Sequence, residues 1–474
     1  MSTAQLLSNI LLCLSLIFQC SFAVSPFGKI VPRFPSALIH PEMAAMGPMR
    51  PGYFTQVLDH FGFRPEGYQT FQQRYLINST FWGGPWRNAP ILWFAQNTGF
   101  MFEMAPCFNA LLVFIEHRFY GKSIPFGGNK EVASSNSSTL GYLSSTQALA
   151  DYATQITDLK KNWTAEDSPV VVFGGSYGGI LFIENAAMPA AWFRLKYPHI
   201  AIGALSSSSP VLNFDNISSP YSFNDIITRG FRSESKNCCK VIKRSWNSMD
   251  AGYLQGWLQT ALVYTAMTDY PTPSNFLSPL PAYPVKRMCK AIDDPSKEDD
   301  DFAKLYATAS IYYNYSGGVS CFDLMDNSDS RGLGRRGWKY NYNHNYTCTS
   351  DSIVIPSPTW IPIAFGGHDI RRTLRRFGSN IIFFNGLRDP WSGGGVLKSI
   401  SKSIVAIVAK KVTFNRRKLS MMGAHHADLL YSTNEDPKWL QDVRKKEIKI
   451  ISSWISRYYR DLAKSSSQFR FSNS

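Results

Sequence analysis

The run Pro169-Val-Val-Val-Phe173 stops at Gly174-Gly-Ser176-Tyr-Gly178, and no other stretch narrows the choice of fold as much. An unbroken β-branched run is the pattern of a strand buried on both faces, as in a parallel sheet. Glycine on either side of Ser176 permits a turn too tight for larger side chains, which leaves a serine hydroxyl exposed at the strand end. Glycine-rich turns after strands are common, so the serine becomes informative only if the rest of the chain supplies its partners.

A serine hydroxyl is a weak nucleophile until a histidine takes its proton, and the histidine needs a carboxylate to fix its tautomer and stabilise its charged form. On parallel sheets of this kind the order along the chain is Ser, Asp, His. Asn385-Gly-Leu-Arg-Asp389-Pro-Trp391 follows a β run at 380–384, and Gly423-Ala-His425-His426 follows the next one, at 403–409. Ser176, Asp389 and His425 are therefore the candidate triad. The competing readings are that Asp389 only caps the turn before Pro390 and that the histidine pair lies on a surface loop.

Residues 53–61, 71–76, 90–94 and 110–116 read as further strands, and 145–161 as an amphipathic helix with Ser144 or Ser145 at its N-cap. Strand, helix and strand in that rhythm predict a parallel sheet with right-handed crossovers. The rhythm is lost over 212–370, which is rich in Ser, Asn, Tyr and Pro and has helical stretches at 256–268 and 301–312. The expected fold class is α/β, a core in two parts (50–211 and 371–463) with a mainly helical cap inserted at 212–370. A last helix is expected from Asp436-Pro437 to about residue 463. A chain of 474 residues suits one such core with one inserted lobe.

Hydrophobic residues at 44% against 18% charged provide for a packed core and exclude a disordered chain. The net charge of +15 is spread without a long polybasic tract, and no nucleic-acid-binding module is present, so it reads as a solvated basic surface. Residues 1–23 read as a signal peptide with cleavage after Ala23, an uncleaved anchor being the alternative; no later segment is apolar enough to span a bilayer. Export agrees with six sequons, at Asn78, Asn136, Asn162, Asn216, Asn314 and Asn345. Cys107, Cys238, Cys239, Cys289, Cys321 and Cys348 remain after cleavage and are expected mostly to pair, with the partners of adjacent Cys238 and Cys239 left open. No Cys/His spacing suits zinc.

GGSYGG (174–179), EHRFYGKS (116–123), NGLRDPWSGG (385–394) and GAHH (423–426) together resemble the prolyl carboxypeptidase family, which includes dipeptidyl peptidase II. The resemblance covers most of 50–460 and is closest to plant Pro-X carboxypeptidase-like proteins. It implies an α/β-hydrolase core with a helical cap and a serine exopeptidase acting beside proline, with no metal or organic cofactor. Peptides containing proline are the implied partners, and a homodimer is open as the assembly. Carried over by motif, Ser176 is the nucleophile, Asp389 the orienting acid and His425 the base, with the backbone N–H of Tyr177 as an oxyanion donor. Trp391 matches a position lining the proline pocket, and Ile180 stands where the family usually has methionine. An esterase or lipase built on the same elbow, and a non-enzymatic relative, are the other functions the sequence allows.

The chain also departs from the family pattern. Residues 181–189 and 412–422 are extra, one segment after the nucleophile and one before the base. Between Leu92 and Trp93 a Gly-Asn-Glu-Gly turn that carries the second oxyanion donor is missing, and further gaps, each where the family carries cysteine, fall between about Asn247 and Gly256 and between about Gly337 and Thr347. Leu430 replaces an arginine. Abrupt changes inside close motifs resemble altered splicing, and they predict weak or no peptidase activity in the chain as it stands.

Overall fold

The computed structural model describes residues 47–94, 99–175, 187–213, 217–245, 252–275, 279–296, 300–318, 360–409 and 427–472. Its centre is an eight-stranded sheet, β1 (Arg50–Val57), β2 (Thr70–Asn78), β3 (Ile91–Phe94), β4 (Leu111–Ile115), β5 (Val170–Gly175), β6 (Gly203–Ser207), β7 (Ile381–Gly386) and β8 (Ile404–Ala409). The strands lie in the order β1-β2-β4-β3-β5-β6-β7-β8. β2 is antiparallel to both its neighbours, and every pairing from β4 through β8 is parallel. This is the sheet of an α/β-hydrolase, as the sequence predicts.

Because side chains alternate across a strand, the apolar runs feed two cores at once. Ile91, Trp93, Val170, Val172, Ile381 and Phe383 face one side. There they meet α2 (Ser145–Asn162) and α3 (Ala187–Lys196), together with α9 (Trp360–Phe365) and α10 (Ile370–Phe377). Leu92, Val171, Phe173, Leu205, Ile382 and Phe384 face the other side, against α1 (Phe100–Phe108) and α11 (Lys438–Ser472). The Ser144 hydroxyl accepts from the Gln147 N–H at 3.3 Å, making it the N-cap of α2.

β6 and α1 are not foreseen by the sequence reading. Gly203-Ala-Leu-Ser-Ser207 is a run of small residues, yet it is buried throughout. A Cβ on Gly203 would stand 2.2 Å from the Trp454 ring, so glycine is what lets α11 pack flat on the strand. α1 is apolar nearly all round, so it lacks the polar face that a helical period would reveal. α11 runs beyond the expected end to Ser472. Asp436 does not act as a side-chain cap for it: its carboxylate accepts from Thr433 and pairs with Arg444.

Between β6 and β7 the chain forms α4 (Ser222–Glu234), α5 (Lys236–Ser245), α6 (Gly252–Met267), α7 (Pro284–Ile292) and α8 (Asp301–Tyr313). These helices have their own apolar centre of Phe231, Val241, Leu258, Val285, Met288 and Leu305. The Cys238–Cys289 disulfide staples it, which answers the question of which adjacent cysteine pairs there. Cys239 carries no disulfide, and Cys321 and Cys348 lie outside the described residues.

The EHRFYGKS motif turns out to be structural. The Glu116 carboxylate pairs with Arg74 and accepts from Ser123 Oγ at 2.8 Å. Arg118, fully buried, grips Asp151 through two nitrogens at 2.6 and 2.7 Å and donates to the carbonyls of Leu58 and Tyr142. His60 also binds Asp151, at 2.8 Å, but that carboxylate is already committed to Arg118. Burial holds His117 at about pKa 4, and its Nδ1 contacts the Arg118 carbonyl at 2.7 Å. Neither histidine is placed as a base.

Candidate active site

Three arms of the chain meet at the C-terminal edge of the sheet. The first is β5, whose last residue, Gly175, pairs with Ser207 of β6 and directly precedes Ser176 in sequence. Ser176, Tyr177 and Ile180 themselves lie outside the described residues.

The second arm follows β7. Asp389 is fully buried, its N–H donates to the Gly386 carbonyl at 3.1 Å, and its Oδ1 accepts from the Trp391 N–H at 3.1 Å. It thus caps the short 3-10 turn Pro390–Gly394, which is the role weighed against catalysis. Capping fixes the carboxylate, as an orienting acid requires. Trp391 is half-buried, with its indole N–H directed at the Met267 sulfur at 3.3 Å and its ring edge-on to Phe223 at 4.7 Å. Both contacts come from the helical segment between β6 and β7, so the indole sits where that segment meets the sheet edge.

Arg388 fastens the same junction. Its guanidinium pairs with Asp269, just beyond α6, and with Glu234 at the end of α4. Asp269 also accepts from the Val285 N–H at 3.2 Å. Burial raises the Asp269 carboxyl above its ordinary range although Arg388 pulls the other way.

The third arm returns from His425, which with the rest of 410–426 lies outside the described residues. Ala427–Leu429 forms a buried 3-10 turn. Ser207 Oγ donates to Asp428 Oδ1 at 2.5 Å, fastening the turn to the end of β6. Arg444 of α11 donates to the carbonyls of Ala427, Asp428 and Leu430 at 3.1, 3.0 and 2.8 Å. Asp428 and neighbouring Glu447 are both fully buried. Burial raises Asp428 to about pKa 7, opposed by the Ser207 hydrogen bond and by Arg444. Glu447 is raised by burial and then by the charge of Asp428. Tyr270 lies close enough to feel both Asp389 and Asp428, and its hydroxyl is pushed well above its usual value, chiefly by burial.

Leu92 and Trp93, between which the family's turn is expected to be missing, are consecutive residues of β3. Trp93 and Phe94 extend the β3 ladder, opposite Val113 and Phe114 on one side and Val172 and Phe173 on the other. Only 95–99 separate β3 from α1, and 95–98 lie outside the described residues. Of the sequons, Asn136 and Asn162 are exposed and Asn314 half-buried, whereas Asn78 is 2% exposed and donates to the Gly47 carbonyl at 3.1 Å. Asn216 and Asn345 lie outside the described residues. Among those residues no group of His, Cys, Asp and Glu could hold a metal, and no helix is long and apolar enough to cross a membrane.

This strand order, with a Gly-x-Ser-x-Gly sequence following β5, a buried acid after β7 and a His pair in the sequence after β8, is that of the α/β-hydrolase class. Comparison with known proteins narrows the class. The family model described as serine carboxypeptidase S28 matches residues 56–257. The lysosomal Pro-X carboxypeptidase of Homo sapiens is 36% identical over 473 residues, spanning 87% of this chain and 89% of that protein. The prolyl carboxy peptidase like protein 5 of Caenorhabditis elegans is 33% identical over 485 residues, spanning 86% and 90%. The chain belongs to the serine carboxypeptidase S28 family and is a serine-type peptidase by that membership. Among solved structures, a proline iminopeptidase of Mycobacterium smegmatis matches 87% of this chain and 100% of that one, at a TM-score of 0.38 and 10% identity.

Proposed function

We propose that this chain is a serine exopeptidase cleaving beside proline, with Ser176 as nucleophile, His425 as base and Asp389 as orienting acid. The observation that carries the reading is the convergence of the β5 end, Asp389 and the Ala427–Leu429 turn on one sheet edge, with Ser207 joining the last to β6. Ser176 Oγ attacks the carbonyl carbon of proline as His425 takes its proton. The tetrahedral oxyanion is held by the Tyr177 N–H, and the protonated base then gives its proton to the departing amine. Water, deprotonated by the same histidine, releases the acyl group.

Trp391, Phe223 and Met267 form an apolar wall beside Asp389 suited to a pyrrolidine ring, and Ile180 is assigned to the same pocket. In this reading residues 212–370 are a cap that limits entry to peptide ends, flanked by core segments 50–211 and 371–463. The lysosomal relatives favour an endomembrane lumen or secretion, entered through a signal at 1–23, with glycans on the exposed sequons.

The test is turnover of an N-blocked peptide ending in Pro-X against a nitrophenyl ester. Release of the C-terminal residue supports a carboxypeptidase, and release of a dipeptide from a free N-terminal X-Pro peptide supports a dipeptidyl peptidase. Ester turnover with neither peptide cut would replace the proposal with an esterase.

A further inference from the structure

The opposite edge of the sheet carries a feature that peptide hydrolysis does not use. The C-terminal end of α10 leads into the N-terminal end of β7, whereas Asp389 follows the strand's C-terminal end, so the six residues of β7, ~20 Å of strand, separate that end of the helix from Asp389. Its sequence is Ile370-Arg-Arg-Thr-Leu-Arg-Arg-Phe377. At ~100° per residue, Ile370 and Leu374 lie together, and these are the two buried residues of the helix. Arg371, Arg375, Arg372 and Arg376 follow one another around the far side, and all four are exposed.

Helix stability does not account for this arrangement. Arg371–Arg375 and Arg372–Arg376 are like-charge pairs at i,i+4, which oppose helix formation. Arg371 and Arg372 occupy the first turn, where the helix dipole disfavours cations. Asp369 caps that turn by accepting from the Arg372 N–H at 3.1 Å, but among the described residues none of the four guanidinium groups has an ion-pair partner. Arg376 lies over the Phe377 ring at 5.3 Å. Basic charge continues on adjoining elements. Lys196, exposed at the end of α3, stands over Phe365, and exposed Lys402 lies two residues before Ile404, whose side chain packs at Gly378.

We infer that the exposed face of α10 is a docking surface for an acidic polysaccharide, a chain with closely spaced sulfate or carboxylate groups. The guanidinium fork binds such groups through paired hydrogen bonds, and four forks on one face offer a row of them. A lipid surface fits less well, because the one exposed apolar side chain of the helix, Phe377 at 63%, lies beside the buried stripe with Arg376 over its ring rather than at the centre of the arginine face. The end of α10 that enters β7 is a strand's length from Asp389, so an occupant there would tether the protein without covering Asp389.

The test measures binding of the full chain to a fluorescein-labelled heparin fragment at low salt. The variant Arg371→Gln/Arg372→Gln/Arg375→Gln/Arg376→Gln should bind at least about tenfold more weakly, with a shallower salt dependence. A control, Lys445→Gln/Lys446→Gln/Lys449→Gln/Arg460→Gln, removes the same charge from exposed positions of α11 and should lose under about threefold. Near-ultraviolet circular dichroism establishes that both variants are folded. No heparin binding by the parent, or equal losses in the two variants, would overturn the proposal. So would tighter binding to duplex DNA or to phosphatidylserine vesicles than to heparin.

Discussion

Replacing Arg388 by methionine keeps most of the stem and removes the cation that pairs with both Asp269 and Glu234. Arg388 is 5% exposed and Asp269 3%, while the Glu234 side chain, at 17%, retains some water. Removing one partner of a buried ion pair costs about 3–5 kcal/mol, because the remaining charge has neither water nor a counter-ion. The Asp269 carboxyl, already raised by burial, can answer by taking up a proton, so the lower end of that range applies. We expect Arg388→Met to lower unfolding free energy by about 3 kcal/mol in urea followed by tryptophan fluorescence. Adding Asp269→Asn and Glu234→Gln should recover about half of the loss, since no buried charge is then left unpaired. A loss below about 1 kcal/mol, or a triple variant as unstable as the sum of its parts, would show that the network does not hold the Asp389 loop to the helical segment.

Asp428 sets a pH dependence. Its folded pKa of about 7 lies above the unfolded value near 3.8, so the folded state binds the extra proton between them, and stability falls as pH rises from about 4 to 7. Asp428→Asn should be neutral near pH 4 and gain up to about 4 kcal/mol over the parent at pH 7; parallel urea titrations of the two proteins that keep a constant difference would refute this. The turn expected to be missing between Leu92 and Trp93 predicts a rate deficit. One lost oxyanion donor is worth ~3 kcal/mol, or ~100-fold in kcat, so restoring Gly-Asn-Glu-Gly and removing 181–189 and 412–422 should raise kcat/KM on a Pro-X peptide at least that much. Equal, robust activity of the two chains would show that these departures do not matter.

The sheet was legible wherever a strand was an apolar β-branched run between turn residues, as at Val170–Gly175 and Ile381–Gly386. It was illegible at β6, where burial is made by Trp454, some 250 positions away, fitting against Gly203. The candidate site is read from motifs alone, because a Gly-x-Ser-x-Gly run and the chain order of its proposed partners are local rules. The ties around it were not. Nothing local to Arg388, Ser207 or Asp428 indicates that the first binds Asp269 and Glu234 or that the other two bind each other, since such pairs are set by tertiary packing. The basic charge read as evenly spread is, on α10, gathered on one face, because a helix brings residues three and four apart together.

The central claim, that this S28 family chain acts through Ser176, is tested most directly by fluorophosphonate labelling followed by peptide mapping. The account predicts a slow adduct on Ser176, absent in Ser176→Ala and slowed by orders of magnitude in Asp389→Asn, because a misoriented base cannot take the serine proton. Ser207, whose hydroxyl is engaged by Asp428, should carry no adduct. Labelling that persists in Ser176→Ala, or a chain that is never labelled even with its turn restored and both extra segments removed, would contradict it.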